Sequence, residues 1–253
     1  MLPKSDPRFI GWKKSLKKRP PPWNKGKTRF NNSSVEKISK TFKSRKIDNF
    51  KNWRNKARKL GLIPDSYLVF RHNSDLAFLI GLTLGDGNIG IFPRTECLRI
   101  VLGTDKPLLI KYARQIIKSV VGKEPSVIKR TGVNCCNVTV YQKKLSKRLG
   151  IPSGPRKYLK ILLPDWIWKR KIFLLNALRG LFEAEGSFSI HEQTYTYNLS
   201  FSNTNISLLN EVQKALTFLG FHPERRQNAV RLRRKIETFN FVSLIGFRKY
   251  PLV

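Results

Sequence analysis

Hydrophobic positions along this chain repeat with two different periods. Near the N-terminus, Val35, Ile38 and Phe42, then Phe50, Trp53, Ala57 and Leu60, recur every three or four residues. This spacing predicts two amphipathic helices interrupted near 46–49, with Ser33 or Ser34 capping the first and Asp48 the second. Further on, Leu79-Ile80-Gly81-Leu82-Thr83-Leu84-Gly85-Asp86-Gly87 and Leu178-Arg179-Gly180-Leu181-Phe182-Glu183-Ala184-Glu185-Gly186 each read as an apolar helix that ends in a carboxylate and a glycine. Small residues stand four apart in both, Gly81 with Gly85 and Gly180 with Ala184, so each helix has one face without bulk. The two faces are expected to pack on each other.

Elsewhere the period falls to two. After Gly87 the pattern predicts a turn, a strand from Cys97 to Leu102, a helix from Lys106 to Val121, strands at 126–130 and 137–141, and a short helix at 143–149. The second half predicts strands at 188–191 and 198–202, a helix at 206–219, strands near Arg225 and at 230–234, and a helix at 237–245. Thr104 with Leu108-Leu109 returns as Thr204 with Leu208-Leu209, Gly122 as Gly220, and Arg156-Lys157-Tyr158 as Arg248-Lys249-Tyr250, at offsets between 92 and 100 residues. The chain is therefore an imperfect tandem repeat. The fold class expected is α/β of the α+β type, a pseudo-twofold tandem repeat of αββαββα units. Its segments are a basic N-terminal extension over 1–70, a first repeat over 71–165 and a second over 166–253.

If the two motif helices pack, Asp86 and Glu185 lie side by side at two helix C-termini, where the macrodipole disfavours negative charge and the carboxylates repel. A cation between them would relieve both, and oxygen ligands suit a hard divalent ion such as Mg²⁺. These residues resemble the LAGLIDADG homing endonucleases in the single-chain form that carries both motifs, over residues 74–253. One departure is Leu84 at the sixth motif position, where the second copy keeps Glu183.

The resemblance implies a saddle-shaped antiparallel sheet with strands in the major groove and a staggered double-strand break in duplex DNA. It makes Asp86 and Glu185 catalytic metal ligands, helped by backbone carbonyls near Gly85 and Ala184, with Mg²⁺ or Mn²⁺ as the ion. A lysine beside each acid is also implied, and the repeated Arg-Lys-Tyr nominates Lys157 and Lys249. On the saddle, Arg99, Lys129, Arg130, Arg225, Arg231 and Arg233 become candidate phosphate or base contacts. Alternation, as in Val230-Arg231-Leu232-Arg233, exposes such arginines opposite the helices. Two other readings of the same scaffold are an RNA maturase acting on an intron and a DNA-binding regulator without nuclease activity. Both repeats lie in one chain, so a functional monomer is expected; the absence of splicing-domain flanks argues against an intein.

Charge points the same way independently. The 253 residues carry 50 Lys and Arg against 16 Asp and Glu, a net charge of +34 that suits a polyanionic partner. Residues 1–60 hold 20 of those basic residues and three acids. Pro20-Pro21-Pro22 predicts an extended arm, and Trp23, Lys25 and Lys27 offer a basic and aromatic turn that can lie along phosphates. The two helices that follow fit either a helix-turn-helix reader or a solvated hairpin. No apolar run is long enough to span a bilayer, and the N-terminus lacks a secretory core, so a cytoplasmic or organellar location beside the target DNA is expected and a membrane is not. Cys97, Cys135 and Cys136 show neither zinc spacing nor a disulfide framework. His72, His191 and His222 form no nucleophilic triad.

Overall fold

The computed structural model describes residues 6–62 and 66–250, and the chain divides into two compact units between residues 65 and 66. The first unit contains α1 (Pro7–Lys18), α2 (Ser33–Ser44) and α3 (Lys51–Lys59). Helix α1 precedes the triple-proline stretch, which carries neither helix nor strand. Asp6 caps the helix, accepting from the Arg8 amide at 2.8 Å, and Pro7 fits the first turn because its missing N–H would have had no partner there. Both later helices occur as expected, with different caps. Asn32 accepts from the Val35 amide at 3.2 Å and begins α2 in place of Ser33 or Ser34. Asp48 lies two residues before the Phe50 cap position of α3, accepting from the Phe50 amide at 3.2 Å and pairing with Arg54. Ala57 is the buried residue among those described in this unit, so its Lys, Arg, Trp and Phe side chains are largely at the surface.

The second unit holds both repeats. The first runs α4 (Ser74–Asp86), β1 (Gly87–Phe92), β2 (Thr95–Gly103), α5 (Pro107–Val121), β3 (Ser126–Lys129), β4 (Cys135–Gln142) and α6 (Leu145–Leu149). A short helix, α7 (Asp165–Trp168), leads into the second: α8 (Lys171–Glu185), β5 (Gly186–His191), β6 (Thr196–Ser202), α9 (Ile206–Phe218), β7 (Glu224–Arg226), β8 (Ala229–Leu232) and α10 (Lys235–Ile245). Strand β1 replaces the predicted turn after Gly87 and completes the αββαββα order in the first repeat. Each repeat forms its own four-stranded antiparallel sheet, ordered β1-β2-β4-β3 and β5-β6-β8-β7. The single antiparallel sheet expected is thus two matching sheets.

Between the sheets' helix-covered faces lie α4 and α8. Every residue from Leu76 to Leu84 is buried, the pattern of a helix that is apolar all round because it sits at the centre of the core. Asn73 caps α4, accepting from the Leu76 amide at 2.8 Å. The two helices approach at their small residues, as expected. A methyl on Gly81 would strike the Ala177 carbonyl, and one on Gly180 would lie 2.6 Å from the Leu82 nitrogen. The core continues from this pair into both sheets through Leu98, Ile100, Val138, Leu199, Phe201 and Val230. Each such fully buried side chain contributes about 1.5–3 kcal/mol from removal of apolar surface from water.

Candidate active site

Because α4 and α8 touch at their last turns, their terminal acids converge. A methyl on Gly85 would collide with that of Ala184 and stand 3.3 Å from Cγ of Glu185. Asp86 and Glu185 are both half-buried at this seam. Burial raises the Asp86 pKa from 3.8 to about 6, helped by the negative charge of Glu185, while Lys106 pulls it back. Burial also raises Glu185, again opposed by Lys106. Two buried-prone acids of one sign, at two helix C-termini, make a strongly electronegative point in a chain of +34.

Two cavities each join one repeat's strand-to-helix turn with the other's Arg-Lys-Tyr segment; the first reaches the seam through Gly85 and Glu185, and the second includes Lys106, whose charge acts on both acids. One, of about 250 Å³, is lined by Gly85, Asn88, Arg156, Lys157, Glu185 and the turn 203–205, among others. The other, of about 320 Å³, is lined by Asp105, Lys106, Leu108, Arg248 and Tyr250, among others. Lys157 therefore faces the same space as Glu185. Lys249 is exposed and belongs to the segment that lines the second cavity.

The two Arg-Lys-Tyr segments are fastened differently. In the first, Arg156 donates through Nη2 to the carbonyls of Thr83 (2.8 Å) and Gly87 (2.6 Å), closing the end of α4. Asn205 donates to the carbonyls of Arg156 at 2.6 Å and Leu159 at 2.9 Å, which fixes the backbone on either side of Lys157. In the second, buried Glu183 accepts from the Arg248 amide at 2.6 Å and from the Tyr250 hydroxyl, while Arg179 donates to the Lys249 carbonyl. Arg179 also sits over the rings of Tyr112 and Tyr250, 5.1 and 5.8 Å from their centroids. Burial raises the pKa of Glu183 against these hydrogen bonds, and Tyr250 is raised by burial and by Glu183.

Lys106, Arg156, Arg179, Glu183 in its clamping role, and Asn205 were not singled out from sequence. Arg156, Arg179 and Glu183 lie within the repeated segments, and Lys106 follows the repeated threonine at the start of α5, where the second repeat has Ile206, but their partners are not local.

The open faces of the sheets receive some of the expected basic residues and not others. Opposed residues in antiparallel strands share a face. Arg99 faces Thr139, and Arg231 faces Ser200 and Glu224, all on the sides away from the helices. Lys129 pairs with Cys136 and Arg225 with Val230, which puts both on the helix side, a correction to the face expected from alternation. Arg225 bonds the carbonyls of Gln227 and Ala229 in its own hairpin, each at 3.2 Å. Arg130 and Arg233 lie one residue beyond β3 and β8 and are exposed. Arg231 forms an ion pair with Glu224 at 3.0 Å. In the N-terminal unit, Trp23 is exposed, the Lys27 ammonium lies 5.4 Å from its ring centroid, and Gly26 turns the chain at φ +76° with Lys25 beside it.

None of the three histidines lines either of the two cavities. His72 stacks on Trp166 at 4.3 Å, His222 bonds Glu237 at 2.7 Å, and His191 is exposed at the end of β5. All three cysteines are free thiols. Among the described residues, no three His, Cys, Asp or Glu side chains gather as a metal cluster, and no helix is long and apolar enough to cross a membrane.

Residues 173–248 match the family model of the LAGLIDADG-like domain. Solved structures similar to this chain include mesophilic variants of the homing endonuclease I-DmoI, at 16% identity over 68% of this chain and 95% of that one, TM-score 0.47. The LAGLIDADG meganuclease I-AabMI bound to uncleaved DNA is 14% identical over 70% of this chain and 84% of that one, TM-score 0.45. The N-terminal LAGLIDADG domain of WhiA is 16% identical over 68% and 81%, TM-score 0.45. No curated protein matches the sequence.

Proposed function

We propose that this chain, a two-repeat LAGLIDADG-type protein, is a site-specific double-stranded DNA endonuclease that makes a staggered break by divalent-metal-dependent hydrolysis. The observation that carries the reading is the meeting of Asp86 and Glu185 at a seam where burial raises both pKa values. A protein has little use for such a pair unless a cation joins it. Two carboxylates without a third acid fit Mg²⁺ or Mn²⁺, which binds through one or two carboxylates and completes its shell with water and phosphate oxygens. Backbone carbonyls of Gly85 and Ala184 are the nearest further candidates by sequence.

When bound, the ion would lower the pKa of water and offset charge on the phosphoryl oxygens. The chain's own residues do the rest. Asp86 and Glu185 hold the centre of the site, one acid from each repeat, so two phosphodiesters on opposite strands can be presented to it. Lys157 and Lys249 stand beside the two cavities and supply positive charge as the pentacovalent phosphorus gains negative charge. Their backbones are fixed by Asn205 on one side and by Glu183 with Arg179 on the other, so the ammonium groups start from anchored positions. Arg99 and Arg231 on the open faces, with Arg130, Arg233 and the Trp23–Lys27 turn, serve as the contacts to duplex DNA. Lys129 and Arg225 have no base contact in this reading.

The experiment is selection of cleaved sites from a randomised duplex library with Mg²⁺, with Ca²⁺ as the binding-only control. Asp86→Asn and Glu185→Gln are expected to lose cleavage by about a thousandfold or more, since each removes a charge the transition state depends on. Binding in Ca²⁺ should persist. Undiminished cleavage by either variant would overturn the reading. An intron RNA bound more tightly than any duplex would favour the maturase, and sequence-specific binding with no cutting in any divalent ion the regulator.

A further inference from the structure

The open faces of the two sheets are chemically unlike. In the second repeat, Ser187, Ser189, Thr196, Asn198, Ser200 and Arg231 take the open side. The aromatic residues within that sheet's strands point the other way, Phe188 and Tyr197 packing on Phe239 of α10 with ring centroids 5.9 and 5.5 Å apart. In the first repeat the open side also carries polar residues, Asn88, Asn137 and Thr139 among them with Arg99, but the pairing of β1, β2, β3 and β4 adds Phe92, Val101, Ile128 and Tyr141 to it. Phe92 and Tyr141 form a tilted pair at 5.9 Å, each 44% exposed, and Ile128 is 60% exposed.

At the outer end of this sheet the usual alternation is inverted. Glu96 and Gln142, paired with each other, occupy the helix side, where Glu96 accepts from the Ser146 amide at 2.7 Å and Gln142 donates to the Val121 carbonyl at 3.3 Å. Polar groups are thus turned inward and rings outward, against the direction the hydrophobic effect would choose for an isolated sheet. Such an arrangement is informative because an exposed apolar patch marks a surface that something covers.

We propose that the first repeat's open face reads thymine methyl groups in the major groove, whereas the second reads base edges through hydrogen bonds. The inference rests on the nuclease reading above and deepens it by naming the chemistry of each half-site. The occupant is duplex DNA because the patch is continuous with the strand that carries Arg99, in a chain of net charge +34. Among base pairs, only the thymine C5 methyl presents an apolar group in the major groove. Serine, threonine, asparagine and arginine on the second sheet instead match donor and acceptor patterns. The target should therefore carry thymines in the half that lies on the first repeat.

The test uses the full chain with Ca²⁺, which permits binding without cutting. A duplex selected from a random library is remade with deoxyuridine in place of thymidine in one half at a time, which deletes only methyl groups. In the half on the first repeat, affinity should fall about fourfold for each contacted methyl. The other half should be indifferent. Arg231→Ala identifies that other half by relaxing its base preference, and Phe92→Ala, Tyr141→Ala and Ile128→Ser should abolish the methyl dependence. These positions are exposed, and retained recognition of the Arg231 half shows that each variant is folded. Equal tolerance of uracil in both halves, methyl dependence in the half that Arg231→Ala relaxes, or dependence that survives the three substitutions would each overturn the proposal while leaving a specific binder. Selection of no duplex at all would overturn the nuclease reading as well. A wild-type dimer without DNA that Phe92→Ala dissolves would reassign the patch to protein contact.

Discussion

The first repeat and the second share one element order and one sheet topology, yet they differ wherever chemistry is at stake. The sixth motif position is Leu84 in one and Glu183 in the other. The turn before the second helix carries Lys106 in one and Ile206 in the other, and the small residue at the helix crossing is Gly85 in one and Ala184 in the other. Packing requires the shared features, because both repeats must bury the same central face. Nothing in packing requires the two sites to be equal, and the endonuclease proposed above would set each against a different strand.

The largest expected effect concerns Lys106. Asp86 has its pKa raised from 3.8 to about 6, so its proton is held more tightly in the folded chain than in the unfolded one. The stability this contributes is complete below about pH 4 and is lost as pH rises through about 6, a span worth up to about 3 kcal/mol. Without divalent ions, the melting temperature should fall across that window, and added Mg²⁺ should restore it by binding the ionised pair. Lys106→Ile makes the two turns alike and removes a charge that lowers both acids. The midpoint of the fall, and the acid limb of cleavage, should move up by about one pH unit. An unchanged limb would mean that the asymmetry at this turn has no bearing on the acids.

Next in size is the helix crossing. Gly85→Ala places a second methyl where that of Ala184 already lies, and overpacking of this kind costs about 1–3 kcal/mol. Ala184→Gly alone should cost only about 1 kcal/mol, from helix propensity. Combined, the two should regain most of the loss, because the pair needs one methyl and not a particular side for it. Thermal denaturation of the three variants decides this; a double variant no better than Gly85→Ala would show that the two sides of the crossing are not interchangeable.

How far these features could be read from sequence depends on the distance over which each is decided. The motif helices, their mutual packing and the meeting of Asp86 with Glu185 follow from residues three or four apart, so they were legible. Strand β1 was missed because its six residues, Gly-Asn-Ile-Gly-Ile-Phe, contain two glycines and only Ile89 is buried. The faces of Lys129 and Arg225 depend on register with a neighbouring strand, which alternation within one strand does not specify. The clamps are farther still from local signal. Arg156 reaches carbonyls 69–73 residues away, and Glu183 reaches Arg248 and Tyr250 across 65 and 67 residues. The repeat of Arg-Lys-Tyr announced the segments, but not that one is held by a neutral amide and the other by a buried carboxylate.

That difference gives the third effect. Glu183→Leu copies the first motif's residue and leaves the Arg248 amide and the Tyr250 hydroxyl without their acceptor, at about 1–3 kcal/mol. Asn205→Ala frees the carbonyls around Lys157 at a similar cost. On a supercoiled plasmid bearing the selected site, each variant should accumulate nicked circles, and end-labelling should find the surviving nick on opposite strands for the two. Nicks on the same strand would show that the clamps do not act on separate half-reactions.

The smallest effect is electrostatic and compares the sheets directly. Arg99 stands opposite Thr139 on the first sheet, whereas Arg231 on the second is already paired with Glu224 at 3.0 Å and lies near the same carboxylate as Arg233, at 3.8 Å. A guanidinium that must share its charge with a carboxylate releases fewer counterions when it meets a phosphate. Each phosphate neutralised adds about 0.9 to the slope of log affinity against log salt. Arg99→Ala should therefore flatten that slope by close to this amount if the arginine meets a phosphate. Arg231→Ala should change it less and instead relax base preference, while Glu224→Gln, which releases Arg231, should steepen it. Equal slopes for the two arginine variants would show that the ion pair opens on binding, and the sheets would then differ in what they recognise without differing in how they attract.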